Sequence, residues 1–128
     1  MNSLQIAELV NLIVQEIAYT APKGWRKIVH YYELLSCDDG TKRNKSTARC
    51  WCSPEMTKYD GHEVGGSCET IDALEELHEV SIKNGDEWTG FLLVIDEEGK
   101  FSSQFFYNST PLLDGNYSEL HKILDSAS

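Results

Sequence analysis

Residues 84–107 read NGDEWTGFLLVIDEEGKFSSQFFY, and the fold turns on them. Asn84-Gly85 is a helix stop, because Gly and Asn tolerate the left-handed backbone that ends a helix. Trp88 to Ile95 is an almost unbroken apolar run of strand length, which predicts a buried central strand. Asp96-Glu97-Glu98-Gly99 then turns the chain. Lys100 to Tyr107 returns, with Phe101, Ser103, Phe105 and Tyr107 alternating against Ser102, Gln104 and Phe106. That period of two predicts an antiparallel partner strand.

Working back from this hairpin, Ile71 to Lys83 has helical spacing and Thr70 is its expected cap. The inward stripe is Ile71, Leu74, Leu77 or His78, and Ile82; the acids lie mostly on the other side. Further back, Asn2 to Thr20 is a helix with Leu9, Ile13 and Ile17 in its stripe, and Asn2 with Gln5 resembles a capping box. Trp25 to Ser36 predicts a strand with apolar residues on both faces: Ile28, His30, Tyr32 and Leu34 on one, Val29, Tyr31 and Leu35 with Lys27 and Glu33 on the other. Asp38-Asp39-Gly40 starts a turn with Lys42 to Lys45 as its basic tip, and Ser46 to Ser53 is the returning strand. Pro54 to Ser67 is a glycine-containing loop with room for a short strand. Past the second hairpin, Asn108 to Gly115 is a loop and Tyr117 to Leu124 a short last helix using Tyr117, Leu120 and Leu124. The order predicts one α+β domain over residues 1–128: an antiparallel sheet of four to five strands with an N-terminal, a middle and a short C-terminal helix.

The 128 residues are 41% hydrophobic with three prolines, a globular composition. No 18-residue apolar run occurs, so no membrane span is expected. The first helix carries Glu8 and Glu16 and lacks a basic start, so it does not read as a signal peptide, and a cytoplasmic protein is expected. Four cysteines without a secretory signal make a weak case for disulfides. Cys50 and Cys52 share a strand face, too far apart for a relaxed bridge.

Charge is split along the chain. Glu69 to Glu98 holds ten acids against Lys83, a net −9 of the chain's −10. Pro22 to Lys58 holds eight bases against four acids, a net +4. Acidic runs are commonly solvated surface, but one this concentrated also suits a basic protein partner. The net charge opposes phosphate, so Lys42, Arg43, Lys45 and Arg49 are not read as a nucleic-acid site. No nucleophile elbow, phosphate loop, dinucleotide fingerprint or zincin motif is present. Cys50, Cys52, His62 and Cys68 form the one metal or thiol candidate, at a spacing unusual for structural zinc. The expectation is a non-enzyme without catalytic residue, metal or cofactor. A small intracellular adaptor is the alternative, with a metal- or thiol-dependent enzyme behind it.

Gly24-Trp25-Arg26-Lys27-Ile28 to Glu33, and Asn84-Gly85-Asp86-Glu87-Trp88-Thr89 through Asp96-Glu97-Glu98-Gly99-Lys100-Phe101, resemble the YezG-like immunity proteins. The resemblance covers most of the chain and is most specific over 84–107. It departs at the cysteine-rich Arg49 to Cys68 and at Tyr107-Asn108-Ser109. It implies an antitoxin, similar in role to the immunity proteins of contact-dependent inhibition, that occludes a cognate bacterial toxin domain, often a nuclease, without turnover. With the charge and hydropathy above, no direct nucleic-acid or membrane partner is expected, and the oligomeric state is left open. The toxin-facing candidates are Asp72, Glu75, Glu76, Glu79, Asp86, Glu87, Trp88, Asp96, Glu97 and Glu98, which make one surface if the helix and the 96–98 turn lie on one side. Trp88 also fits a core position.

Overall fold

The computed structural model describes residues 3–21, 24–37, 39–52, 57–61 and 67–127, with backbone only at Ser3, Cys52 and 57–61. The elements run α1 (Ser3–Thr20), β1 (Trp25–Ser36), β2 (Lys42–Cys52), β3 (Thr57–Gly61), α2 (Cys68–Lys83), β4 (Gly90–Asp96), β5 (Phe101–Phe106), α3 (Pro111–Asp114) and α4 (Tyr117–Ala127). This is the expected α+β class. The five strands form one sheet in the order β3-β2-β1-β4-β5, and each neighbouring pair is antiparallel.

β1 is the central strand, and its two-sided apolar pattern has a direct cause. Ile28, Tyr32 and Leu34 enter a core with α1, α2, Phe91, Leu93 and Ile95. Val29 and Tyr31 enter a second core with Leu92, Leu112, Leu120 and Leu124. Helices therefore cover both faces, and β1 and β4 are buried between them. α1 supplies Leu9, Val10, Ile13, Val14 and Ile17 to the first core, the widened stripe its spacing predicts.

Several boundaries differ from the sequence expectations. Ser67, not Thr70, caps α2: its Oγ accepts from the Thr70 backbone N–H at 3.2 Å, and Thr70 is buried in the first turn. A hydroxyl three residues upstream reaches the open N–H, which Thr70 at that depth cannot do. Val80 and Ser81 turn inward in place of Ile82, which is 39% exposed. Lys42 to Lys45 is not a tip but the start of β2. The turn closes earlier, where the Thr41 carbonyl accepts from Cys37 N–H at 2.8 Å and Asp39 Oδ1 accepts from both the N–H and hydroxyl of Thr41. These bonds hold the Asp39 carboxyl below its ordinary range. α3 lies inside the expected 108–115 loop, with Pro111 starting it and Gly115 (φ 73°) ending it. α4 runs three residues past Leu124 and leaves Tyr117 exposed, because Ile123 and Leu124 supply the packing. The Asn2 cap and most of the 54–67 segment lie outside the described residues; β3 is the short strand within it.

One glycine is fixed by close approach. A Cβ on Gly90 would stand 2.9 Å from the Tyr31 hydroxyl and 3.2 Å from Phe106 Cβ. Gly90 lets the Tyr31 ring cross the start of β4 and reach Glu33.

Candidate partner-binding site

α2 carries the densest carboxylates. Glu69, Asp72, Glu76 and Glu79 are exposed along one side of the helix, at spacings of three, four and three. The buried stripe Thr70, Ala73, Leu74, Leu77 and Ser81 holds the opposite side against the sheet, which fixes the orientation of this acidic row.

The basic half of the chain answers part of that charge internally. Lys42 Nζ lies 3.4 Å from Glu79 Oε1, and Asn44 donates weakly to Glu75 at 3.5 Å. Arg26 pairs with Glu97 at 3.2 Å, and Lys100 with Glu98 at 3.6 Å. Asp96 Oδ1 accepts from the backbone N–H of Glu98 and Lys100, so this acid builds its turn. Asp86 accepts from the Tyr107 hydroxyl at 2.6 Å, which pushes that phenol up. Among the described residues, Glu69, Asp72, Glu76 and Glu87 have no such side-chain partner. These exposed pairs are individually weak.

The ten candidates do not form one surface. Asp86 and Glu87 precede β4, whereas Asp96 ends it and Glu97 and Glu98 follow, a separation of about 20 Å along the strand. α2 shares the first end through Glu79 and Lys42. Trp88 belongs to no surface: it is 0% exposed, with its ring packed against His78, Tyr32, Phe91 and Phe105. Its expected contact role is corrected to a core role.

Two buried polar devices complete the frame. Glu33, enclosed on the α3 side of β1, accepts from the Tyr31 hydroxyl at 2.6 Å and from the backbone N–H groups of Leu112 and Leu113 at 2.9 and 2.7 Å. Burial, then the hydrogen bond to Glu33, raises the Tyr31 phenol far above its ordinary value. At the other device, His78 Nε2 donates to the Trp88 carbonyl at 3.0 Å, since a carbonyl only accepts. The ring lines a cleft of about 340 Å³ with Glu87, Thr89, Ser36, Asn108 and Ser109. Asn108 holds φ 61°, a conformation asparagine tolerates.

His78 makes stability pH-dependent. Desolvation lowers its pKa from 6.5, against the smaller opposing effect of the Trp88 carbonyl. The unfolded chain therefore binds the proton first as pH falls. The stabilisation is complete above about pH 6.5 and is lost progressively below it. Thermal melts from pH 7.5 to 5.5 are expected to show a falling midpoint that His78→Gln flattens. Equal slopes in both proteins would refute this assignment.

Of the thiol candidates, Cys50 is buried in the first core and Cys68 is exposed at the start of α2. His62 and the Cys52 side chain lie outside the described residues. Among the described residues, no group of three or more His, Cys, Asp or Glu side chains is placed to hold a metal ion. No described helix is long and apolar enough to cross a membrane.

The chain matches no protein-family model and no curated protein. Sequence reasoning found the acidic helix and the two-sided strand. It missed the Glu33 anchor, although the alternation that placed Glu33 beside Val29 and Tyr31 already carried the signal. It also missed the α2–β4 corner, because His78 and Trp88 meet only through tertiary packing.

Proposed function

We propose that this protein is a cytoplasmic immunity protein that binds a basic bacterial toxin domain, most simply a nuclease, and occludes it stoichiometrically. The observation that carries the reading is the exposed row Glu69, Asp72 and Glu76 on α2, which retains its charge after the neighbouring acids are matched internally. A nuclease cleft is built to attract phosphate, and a fixed row of carboxylates presents the same sign of charge on a protein scaffold. The resemblance at 84–107 supports the same class of partner. The row accelerates encounter and rejects wrong partners; affinity would concentrate at a few well-packed contacts.

The test is association with the toxin product of a neighbouring gene, and rescue of growth by co-expression. Asp72→Lys with Glu76→Lys is expected to weaken binding about tenfold or more, chiefly through slower association, and to flatten its salt dependence. Folding stability should change by less than about 0.5 kcal/mol, because both side chains are exposed. An unchanged affinity would move the contact away from α2. A purified pair that fails to associate at low salt would remove the reading altogether.

A further inference from the structure

β5 is an edge strand with an open hydrogen-bonding side. The Asp96 N–H donates to the Lys100 carbonyl at 2.9 Å, which marks 96 and 100 as a hydrogen-bonded pair. The register continues through Ile95 opposite Phe101 to Gly90 opposite Phe106 without a shift. Antiparallel pairing alternates, so Ser102, Gln104 and Phe106 bond inward to β4. The N–H and C=O groups of Phe101, Ser103 and Phe105 point outward, and none of these six groups has a partner among the described residues. The other edge, β3, carries Lys58 and Asp60 within five residues. β5 reads FSSQFF, with no charge, proline or bulge, so it lacks the usual protections of an exposed edge.

The surroundings select the occupant. Carboxylates stand at both ends of β5: Asp96, Glu97 and Glu98 before it, Asp86 and Glu87 beside Tyr107 after it. The last turn of α4 adds Ser126 and Ala127 beside Ser102 and Gln104, where a shallow groove opens. Helix carbonyls at that end carry partial negative charge. A second copy of this −10 chain would set like charges against each other at both ends. We propose that β5 accepts an extended segment of a basic protein partner as a sixth strand, with lysine or arginine at both ends of that segment. That the partner is a toxin rests on the preceding proposal; the open edge does not.

The test uses the isotopically labelled full chain and a synthetic peptide of alternating threonine and valine with two lysines at each end. Added peptide is expected to slow hydrogen exchange at the Phe101, Ser103 and Phe105 amides about tenfold or more, and to leave the β3 amides unchanged. N-methylation of alternate peptide residues should abolish the effect, and glutamates in place of the lysines should weaken binding about tenfold. Ser103→Pro removes an outward N–H without breaking the ladder to β4 and should also abolish protection. Protection that survives N-methylation, or equal binding by the glutamate peptide, would overturn the proposal. So would protection of the same amides in the chain alone that grows with concentration, which would mean self-pairing. A toxin complex that leaves these three amides exposed overturns the edge alone. Failed toxin association with peptide protection intact overturns the toxin reading alone.

Discussion

Replacing Glu33 by alanine is expected to cost about 3–5 kcal/mol of folding stability, because three donors lose their shared acceptor at once. The Tyr31 hydroxyl and the Leu112 N–H are buried, and the Leu113 N–H is partly so. A water admitted into the space left would restore only part of the charge-assisted bonding. Glu33→Gln keeps one acceptor oxygen but turns an NH₂ toward donors, so an intermediate loss of about 1–3 kcal/mol is expected. Denaturant titration measures both. Native-state exchange adds a local readout: the Leu112 and Leu113 amides should lose protection before the strands do. A loss for Glu33→Ala below about 1 kcal/mol would show that α3 docks by apolar packing alone.

Trp88→Ala should be comparably severe, at about 3–5 kcal/mol, since a fully buried indole leaves a cavity its neighbours cannot close. Phe91 and Phe105 stack with ring centroids 4.7 Å apart, and Trp88 lies 5.8 and 5.4 Å from them. Removing it unseats both. Trp88→Phe keeps an aromatic ring and should cost about 1–2 kcal/mol. The comparison also separates core from contact. Under conditions where both proteins are fully folded, Trp88→Phe should bind a partner as the parent chain does. A large affinity loss with full folding would return Trp88 to the interface.

Much of the fold was legible because burial here follows simple periods. β1 was read to its exact ends from alternation, and its two apolar faces required cover on both sides. The 84–107 hairpin needed only a run, a turn and a second alternation. What escaped reading was chemistry that acts across the chain. Ser67 outcompetes Thr70 as a cap because helix start depends on how α2 meets the sheet. Lys42 to Lys45 extend β2 because Asp39 closes the turn early, and the α2 acids reward the extension. Opposite charges far apart in sequence were visible as a partition, but their mutual neutralisation was not. That is why the acidic stretch shrinks to a shorter row on α2 and a separate turn.

The seam between β1 and β4, where the two hairpins meet, also orders events in time. Glu33 lies opposite Gly90 and Lys27 opposite Asp96, so roughly sixty residues of chain must loop back before β4 can dock. Each hairpin closes over a short loop, while their union closes a far longer one and is expected to be the slower step. Until that union, nascent β1 has one side unzippered. α3 follows β5 in the chain and is expected to clasp Glu33 after that union. The carboxylate thus acts as a latch set last, and its bonds should weigh on the unfolding rate more than on the folding rate.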